Sequence, residues 1–475
     1  MTRRNRRHVL TAVATTAVST VAGCTALVGD DDESAPSDDT SEEPPDDEPG
    51  DDEPDDHEPE DPETTVDAAT LFVEDLAADR IDPAADRLSP AARSQIAPGE
   101  LEQIWMGCTA IGGEFEAVVD TEETTQDVYD AVDVTMAFDR SEHVLRVLVD
   151  ADLAIVGLIF NGEYARPDYV DRRAVSERAV TIEGEGYSLP GRVTVPSGDG
   201  DDDGGTAPGV VLVHGTGPAD MNLENVATRL FQDLAAGLAT QGVATVRYDK
   251  RTYVDTQLPD EERTLDTVTV DDALLAIDEL REVDGVDPDR IVLVGVSQGG
   301  LAAPQVASRD GNLAGVVALA PPARPFYELV GDQLDHQATV GEYEWPTIAE
   351  QADQWPTQRD RIRDGEYDDD ERILGRPGAL WRSLGEYDQL DTAREIDDPL
   401  LFLQGGRDFQ VSVDDDFDLW QSELADRAET AFEHYDDLNH LFMPGEGPSV
   451  AFEYAARNNV DRRVVDDIVA WIDER

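Results

Sequence analysis

Apolar and polar positions repeat with different periods along this chain, and the changes of period mark its parts. Residues 66–78 set Ala69, Phe72, Val73 and Leu76 at helical spacing, and residues 101–111 read as a second helix. Val132, Val134, Met136 and Phe138 then alternate with Asp133, Thr135 and Ala137, the two-residue period of a strand. Residues 144–149 and 153–160 continue as strands. Helices followed by antiparallel strands predict a small α+β domain over residues 66–162.

From residue 175 the pattern changes. Residues 175–195 give two strand-like runs around the glycines at 184 and 186. Short apolar runs then recur at 210–213, 243–246, 291–294, 314–320 and 399–403, with a last strand read at 430–435 and helical spacing at 270–280 and 301–308. Repeated alternation of strand and helix predicts a mostly parallel, doubly wound sheet covered on both faces. Residues 321–396 delay the next strand by far more than one helix requires, and they form an insertion.

The first 65 residues fit neither pattern. Arg3, Arg4, Arg6 and Arg7 precede an apolar run at 9–22 that is too short to span a bilayer. Residues 30–63 hold 20 acidic residues and no Lys or Arg, which predicts an extended, disordered tether over residues 25–65. That tether carries only −20 of the net −70, so most of the acidity lies elsewhere. Lys250 is the one lysine against 35 arginines. Such a surface repels itself unless salt screens it, and it excludes nucleic-acid binding, which needs the opposite sign. Cys24 and Cys108 are the two cysteines; Cys108 reads as a single buried thiol.

The candidate chemistry starts at residues 291–300, I-V-L-V-G-V-S-Q-G-G. A buried strand runs into G-x-S-x-G and then a helix, which forces Ser297 into a strained, exposed conformation where flanking side chains would clash. Pro304 lies inside that helix and is expected to kink it. The strand at 210–213 leads directly into His214-Gly215-Thr216-Gly217-Pro218. Asp408 follows the strand at 399–403 and two turn glycines, whereas residues 414–416 fall in the next helix. His440 lies in the loop after the last strand, whereas His434 lies within it.

Several of these stretches resemble known families. Val21-Ala22-Gly23-Cys24 resembles a lipobox with Cys24 as the lipid-modified residue, and Arg6-Arg7-His8-Val9-Leu10 resembles a twin-arginine export signal; an ordinary signal peptide cleaved elsewhere is the alternative. Residues 1–24 are thus read as an export signal, and a lipid anchor through Cys24 as tying the chain to a cell membrane. The acidic, lysine-poor composition resembles haloarchaeal proteins. Residues 66–162 resemble the small NTF2-like domain, of uncharacterised function, that precedes some secreted hydrolases; a spacer or recognition module is the role expected of it. Its one histidine, His143, has no catalytic partner in the sequence.

Residues 175–475 resemble the α/β-hydrolase superfamily, the secreted esterases most of all. The resemblance implies a Ser297–His440–Asp408 triad, in the order Ser…Asp…His along the chain, and an oxyanion hole from the backbone N–H groups of Thr216 and Gln298, with Gly217 as the alternative to Thr216. His214 is expected to brace its loop. Arg247-Tyr248-Asp249-Lys250-Arg251 resembles the family's R-Y-D-x-R-G with Thr252 in place of glycine, and reads as an ion-paired turn. The insertion is expected to form a lid over the site, with Trp345, Trp355 and Trp381 lining an acyl or alcohol pocket or packing the lid's own core. Residues 199–205 mimic the start of a calcium loop, but Val210 stands where the closing acidic ligand belongs, so no metal is expected. No nucleotide loop competes, and hydrolysis needs no cofactor. The expectation is a membrane-anchored serine esterase acting on a small-molecule ester. A prolyl-oligopeptidase-type peptidase, an acyl thioesterase, or a non-catalytic lipid-anchored binding protein are the alternatives.

Overall fold

A computed structural model describes residues 61–160, 162–197 and 206–475. The export signal, Cys24, nearly all of the acidic tether and the loop at 199–205 lie outside the described residues.

The first described helix, α1 (Thr65–Ala77), starts where the Thr64 hydroxyl accepts the Asp67 N–H, and it buries the predicted Ala69, Phe72, Val73 and Leu76. Two short helices, Ile81–Asp86 and Pro90–Arg93, lead to α2 (Pro98–Gly112). An antiparallel sheet follows in the order β1 (Phe115–Gln126), β2 (Tyr129–Phe138), β3 (Glu142–Val149), β4 (Ile155–Phe160). Val132, Val134, Met136 and Phe138 of β2 all point into the core, as their alternation requires. The periodicity gives no sign of β1. It is an edge strand whose residues are mostly exposed, so no apolar alternation marks it.

The second unit is built on an eight-stranded sheet. Its strands are β5 (Val175–Gly184), β6 (Tyr187–Pro196), β7 (Ala207–Val213), β8 (Ala244–Tyr248), β9 (Val286–Val296), β10 (Gly315–Leu319), β11 (Leu400–Gly405) and β12 (Thr430–Tyr435). Their spatial order is β12-β11-β10-β9-β7-β8-β6-β5. The hairpin β5–β6 is antiparallel and β6 pairs antiparallel with β8, while every pairing from β8 through β7 to β12 is parallel. Four helices cover it: α3 (Leu230–Thr240), α4 (Asp271–Arg281), α5 (Gln298–Asp310) and, closing the chain, Arg462–Asp473.

Alternation within β7 divides its side chains between the two faces. Val210 and Leu212 join the core with α3 and the terminal helix, whereas Val211 and Val213 join the one with α4 and α5. All four are buried, which is why the strand reads as an unbroken apolar run. Each such side chain contributes roughly 1.5–3 kcal/mol of burial. The helix α5 runs on through Pro304, whose missing N–H leaves the Gly300 carbonyl without its helical donor.

The insertion is helical: α6 (Phe326–Thr339), α7 (Pro346–Asp364), a two-residue hairpin, α8 (Gly378–Glu386) and the short Gln389–Glu395. Its tryptophans depart from the pocket-lining expectation. Trp381 packs on Phe326 and Trp355 with ring centroids 6.1 and 6.3 Å apart, and Trp345 stacks on Phe452. All three are buried in the insertion's own core or against its neighbours, because large rings supply the apolar area that a helical subdomain among charged residues otherwise lacks. The small domain docks here too. Gln103 donates to the Gln337 carbonyl at 2.7 Å, Glu102 accepts the N–H groups of Glu342 and Tyr343, and α2 packs on the turn Ala451–Tyr454.

Candidate active site

Ser297 stands between β9 and α5 with φ 54° and ψ −120°, a left-handed backbone that a non-glycine residue adopts at a cost of roughly 1–3 kcal/mol. The neighbouring strands hold it there. A Cβ on Gly295 would lie 2.3 Å from the Gly299 carbonyl oxygen, and one on Gly299 would lie 2.4 Å from that of Val213. The two glycines therefore let the turn close against β7. The Ser297 N–H donates to the Leu319 carbonyl at 2.8 Å, tying the elbow to β10. Gln298 opens the helix, where the first N–H groups have no intrahelical acceptor and carry the positive end of the helix dipole.

His440 and Asp408 meet behind this elbow. His440 Nδ1 donates to Asp408 Oδ2 at 2.7 Å, and both side chains are buried. Nothing is left loose on the carboxylate. Its Oδ1 accepts the N–H groups of Gln410 and Val411 at 2.8 and 3.0 Å, and Oδ2 also accepts from Gln404 at 3.0 Å. Asn439 holds the histidine loop in turn, its Oδ1 accepting the N–H groups of Leu441 and Met443. Asp416 is equally buried but serves elsewhere: it accepts from the backbone of Ala323 and Arg324 and from the Arg324 guanidinium. His434 lies beside Asp436 near the surface.

The loop after β7 faces Ser297 across a cavity of about 400 Å³ whose walls include Ser297, His440 and Thr216. The Thr216 hydroxyl donates to the Gln298 side-chain oxygen at 3.2 Å, and Gln298 donates onward to Thr269. The two residues expected to supply oxyanion donors are thus cross-linked by their own side chains. His214 sits buried below, its ring tilted against Phe231 and edge-on to Tyr248, with Nε2 donating to the Asp220 carbonyl at 3.0 Å. Burial, aided by the nearby Lys250 charge, lowers its pKa to about 3 and keeps it neutral. Its position fits a brace for the loop.

Lys250 is buried as well, and its ammonium donates to the Gly215 carbonyl at 2.5 Å. Burial lowers its pKa to about 8, while Asp272 pulls the other way. The Arg247–Arg251 stretch forms ion pairs, as its sequence suggests: Arg247 pairs with Glu177 at 2.9 Å, and Arg251 reaches Asp272, with its Nε 3.1 Å away. The composition singles out Lys250, but nothing in the sequence says that its nitrogen holds the loop after β7. Asn225, also on the cavity wall, has no sequence signal at all.

No tryptophan of the insertion lines the cavity; its walls come from the segment after β7, from Tyr253 and Gln410, and from the residues around Ser297 and His440. Among the described residues no cluster of three or more His, Cys, Asp or Glu could hold a metal, and no helix is long and apolar enough to cross a membrane. His143 of the small domain is buried, bonded to Ser141, and its pKa falls to about 4 by burial. Cys108 is a buried thiol whose pKa burial pushes up to about 12.

Comparison with known proteins matches residues 210–453 to the alpha/beta hydrolase family and residues 69–158 to a family described as a protein of unknown function, DUF3887. Esterase EstD of Thermotoga maritima is 34% identical over 408 residues, which cover 85% of this chain and 94% of that protein. Among solved structures, a puromycin-hydrolyzing peptidase of Mycobacterium tuberculosis is 18% identical with a TM-score of 0.44 over 76% of this chain; the match spans 47% of that peptidase, about half its length. Brefeldin A esterase is 20% identical with a TM-score of 0.40, covering 66% of this chain and 81% of that one.

Proposed function

The chain belongs to the alpha/beta hydrolase family as a carboxylic ester hydrolase, and from that premise we propose that cleavage runs through an acyl-enzyme on Ser297. In this reading Ser297 Oγ attacks the ester carbonyl while His440 takes its proton, then returns it to the departing alcohol. Asp408 keeps the Nδ1–H tautomer and stabilises the imidazolium. Water repeats the sequence on the acyl group and frees Ser297. The backbone N–H groups of Thr216 and Gln298 receive the negative oxygen, each donor contributing roughly 3–4 kcal/mol in the transition state. The observation that carries the reading is the strained Ser297 sharing a cavity with a histidine already bonded at 2.7 Å to a fully paired carboxylate.

Placement outside the cell, on a lipid anchor at Cys24 with the acidic tether as spacer, is supported by the order of basic, apolar and lipobox segments. The net charge of −70 with one lysine supports a working medium of molar salt. Export and anchoring are tested by Cys24→Ser, which should release the protein from the membrane fraction of a salt-grown archaeal host. An unchanged membrane fraction would count against Cys24.

The test of activity is hydrolysis of p-nitrophenyl esters of graded chain length in molar salt, wild type beside Ser297→Ala. Ser297-dependent turnover, with an optimum that reports pocket size, is the expected result. Turnover of peptides or thioesters without esters would move the assignment to those substrates. No turnover of any of them by a folded sample would favour a binding protein.

A further inference from the structure

Asn225 stands on the cavity wall within a segment that is otherwise tightly bonded. Met221 N–H donates to Asp249 and Glu224 N–H to Asp220, while the Thr228 hydroxyl bridges the carbonyls of Asn225 and Tyr454. Leu223 and Val226, on either side, have φ of +50° and +48°. A β-branched residue such as Val226 adopts that conformation only when its surroundings impose it. The backbone of Asn225 is therefore fixed by its neighbours. Its side chain is a different matter. The residue is 5% exposed, yet both its Oδ1 and its Nδ2 lack a partner. Among the described residues lining the cavity, Asn225 alone has such buried, unpaired side-chain atoms.

A buried carboxamide with no partner destabilises a resting protein, and a leucine of similar size would fill the space without that cost. Packing alone therefore does not account for asparagine here. A carboxamide offers an acceptor oxygen and two donor hydrogens, so it matches a neutral group that can both give and take a hydrogen bond. Asp220 and Glu224 line the same wall and disfavour an anion. We propose that Asn225 is a specificity-determining residue, and that the substrates of this site are neutral esters carrying a hydroxyl or carboxamide substituent that pairs with it. The proposal rests on the esterase reading above.

Two matched pairs test it in molar salt: ethyl 3-hydroxybutyrate against ethyl butyrate for the acyl side, and 2-hydroxyethyl butyrate against propyl butyrate for the alcohol side. The wild type should favour the hydroxylated member of at least one pair by roughly tenfold in kcat/KM. In Asn225→Leu and in Asn225→Ala that ratio should fall to within about twofold of unity. Since Asn225→Leu removes an unpaired buried group, its melting temperature should not drop below that of the wild type. Equal rates within both wild-type pairs, or a preference that survives in both variants, would overturn the proposal. Hydrolysis of none of the four esters would overturn the esterase reading, and the inference with it.

Discussion

Around one cavity, the residues behind His440 and those around Asn225 treat polar atoms in opposite ways. Behind His440, both oxygens of Asp408 are taken up by four donors in all, and Asn439 fastens the loop from the other side. Around Asn225 the backbone is just as firmly held, but a buried carboxamide is left unpaired. Chemistry common to every substrate benefits from groups fixed before the substrate arrives, since no reorganisation is then needed in the transition state. Recognition works otherwise, because a group already satisfied inside the protein has little left to offer a ligand. Lys250 belongs to the first kind, for its ammonium is committed to the Gly215 carbonyl.

Breaking the pairing behind His440 should cost most. Asp408→Asn keeps the shape but removes the charge and lets the imidazole tautomer reverse, so kcat should fall by roughly 10⁴-fold with KM little changed. A loss below tenfold would show that another carboxylate orients His440.

A smaller loss is expected at the loop. Lys250→Met frees the Gly215 carbonyl and should lower kcat by about 10- to 100-fold while leaving KM near its wild-type value, because a displaced oxyanion donor acts in the transition state. A change confined to KM would assign the lysine to substrate binding.

The smallest effect concerns pH. His214 titrates near 6.5 in the unfolded chain but only at about 3 in the folded one. As pH falls from 6.5 towards 3, the unfolded chain gains a proton that the folded chain refuses. The stability it contributes is therefore present above pH 6.5 and lost as pH falls through that window. Denaturation midpoints in His214→Gln, which can still donate to Asp220, should vary less with pH there than in the wild type. Parallel curves would contradict the buried neutral imidazole.

The same contrast governs how far the sequence could be read. Ser297 and Asp408 each follow a strand whose apolar run is plain in the sequence, whereas His440 follows the partly exposed edge strand β12, T-A-F-E-H-Y, marked by its place in chain order rather than by an apolar run. The doubly wound sheet was legible for that reason. Strand β1 was not, because an exposed edge strand carries Glu and Thr where a buried one alternates. The tryptophans could be seen but not aimed, since a large ring satisfies an insertion's core as readily as a pocket. Asn225 was invisible, because an unpaired group is defined by what fails to surround it, and no local pattern records that.

The most direct test of the Ser297 nucleophile is to label the folded protein in molar salt with a fluorophosphonate and map the adduct by mass spectrometry. One adduct is expected, on the peptide containing Ser297, and none in Ser297→Ala. An adduct on a different residue, or labelling that persists in Ser297→Ala, would contradict that role.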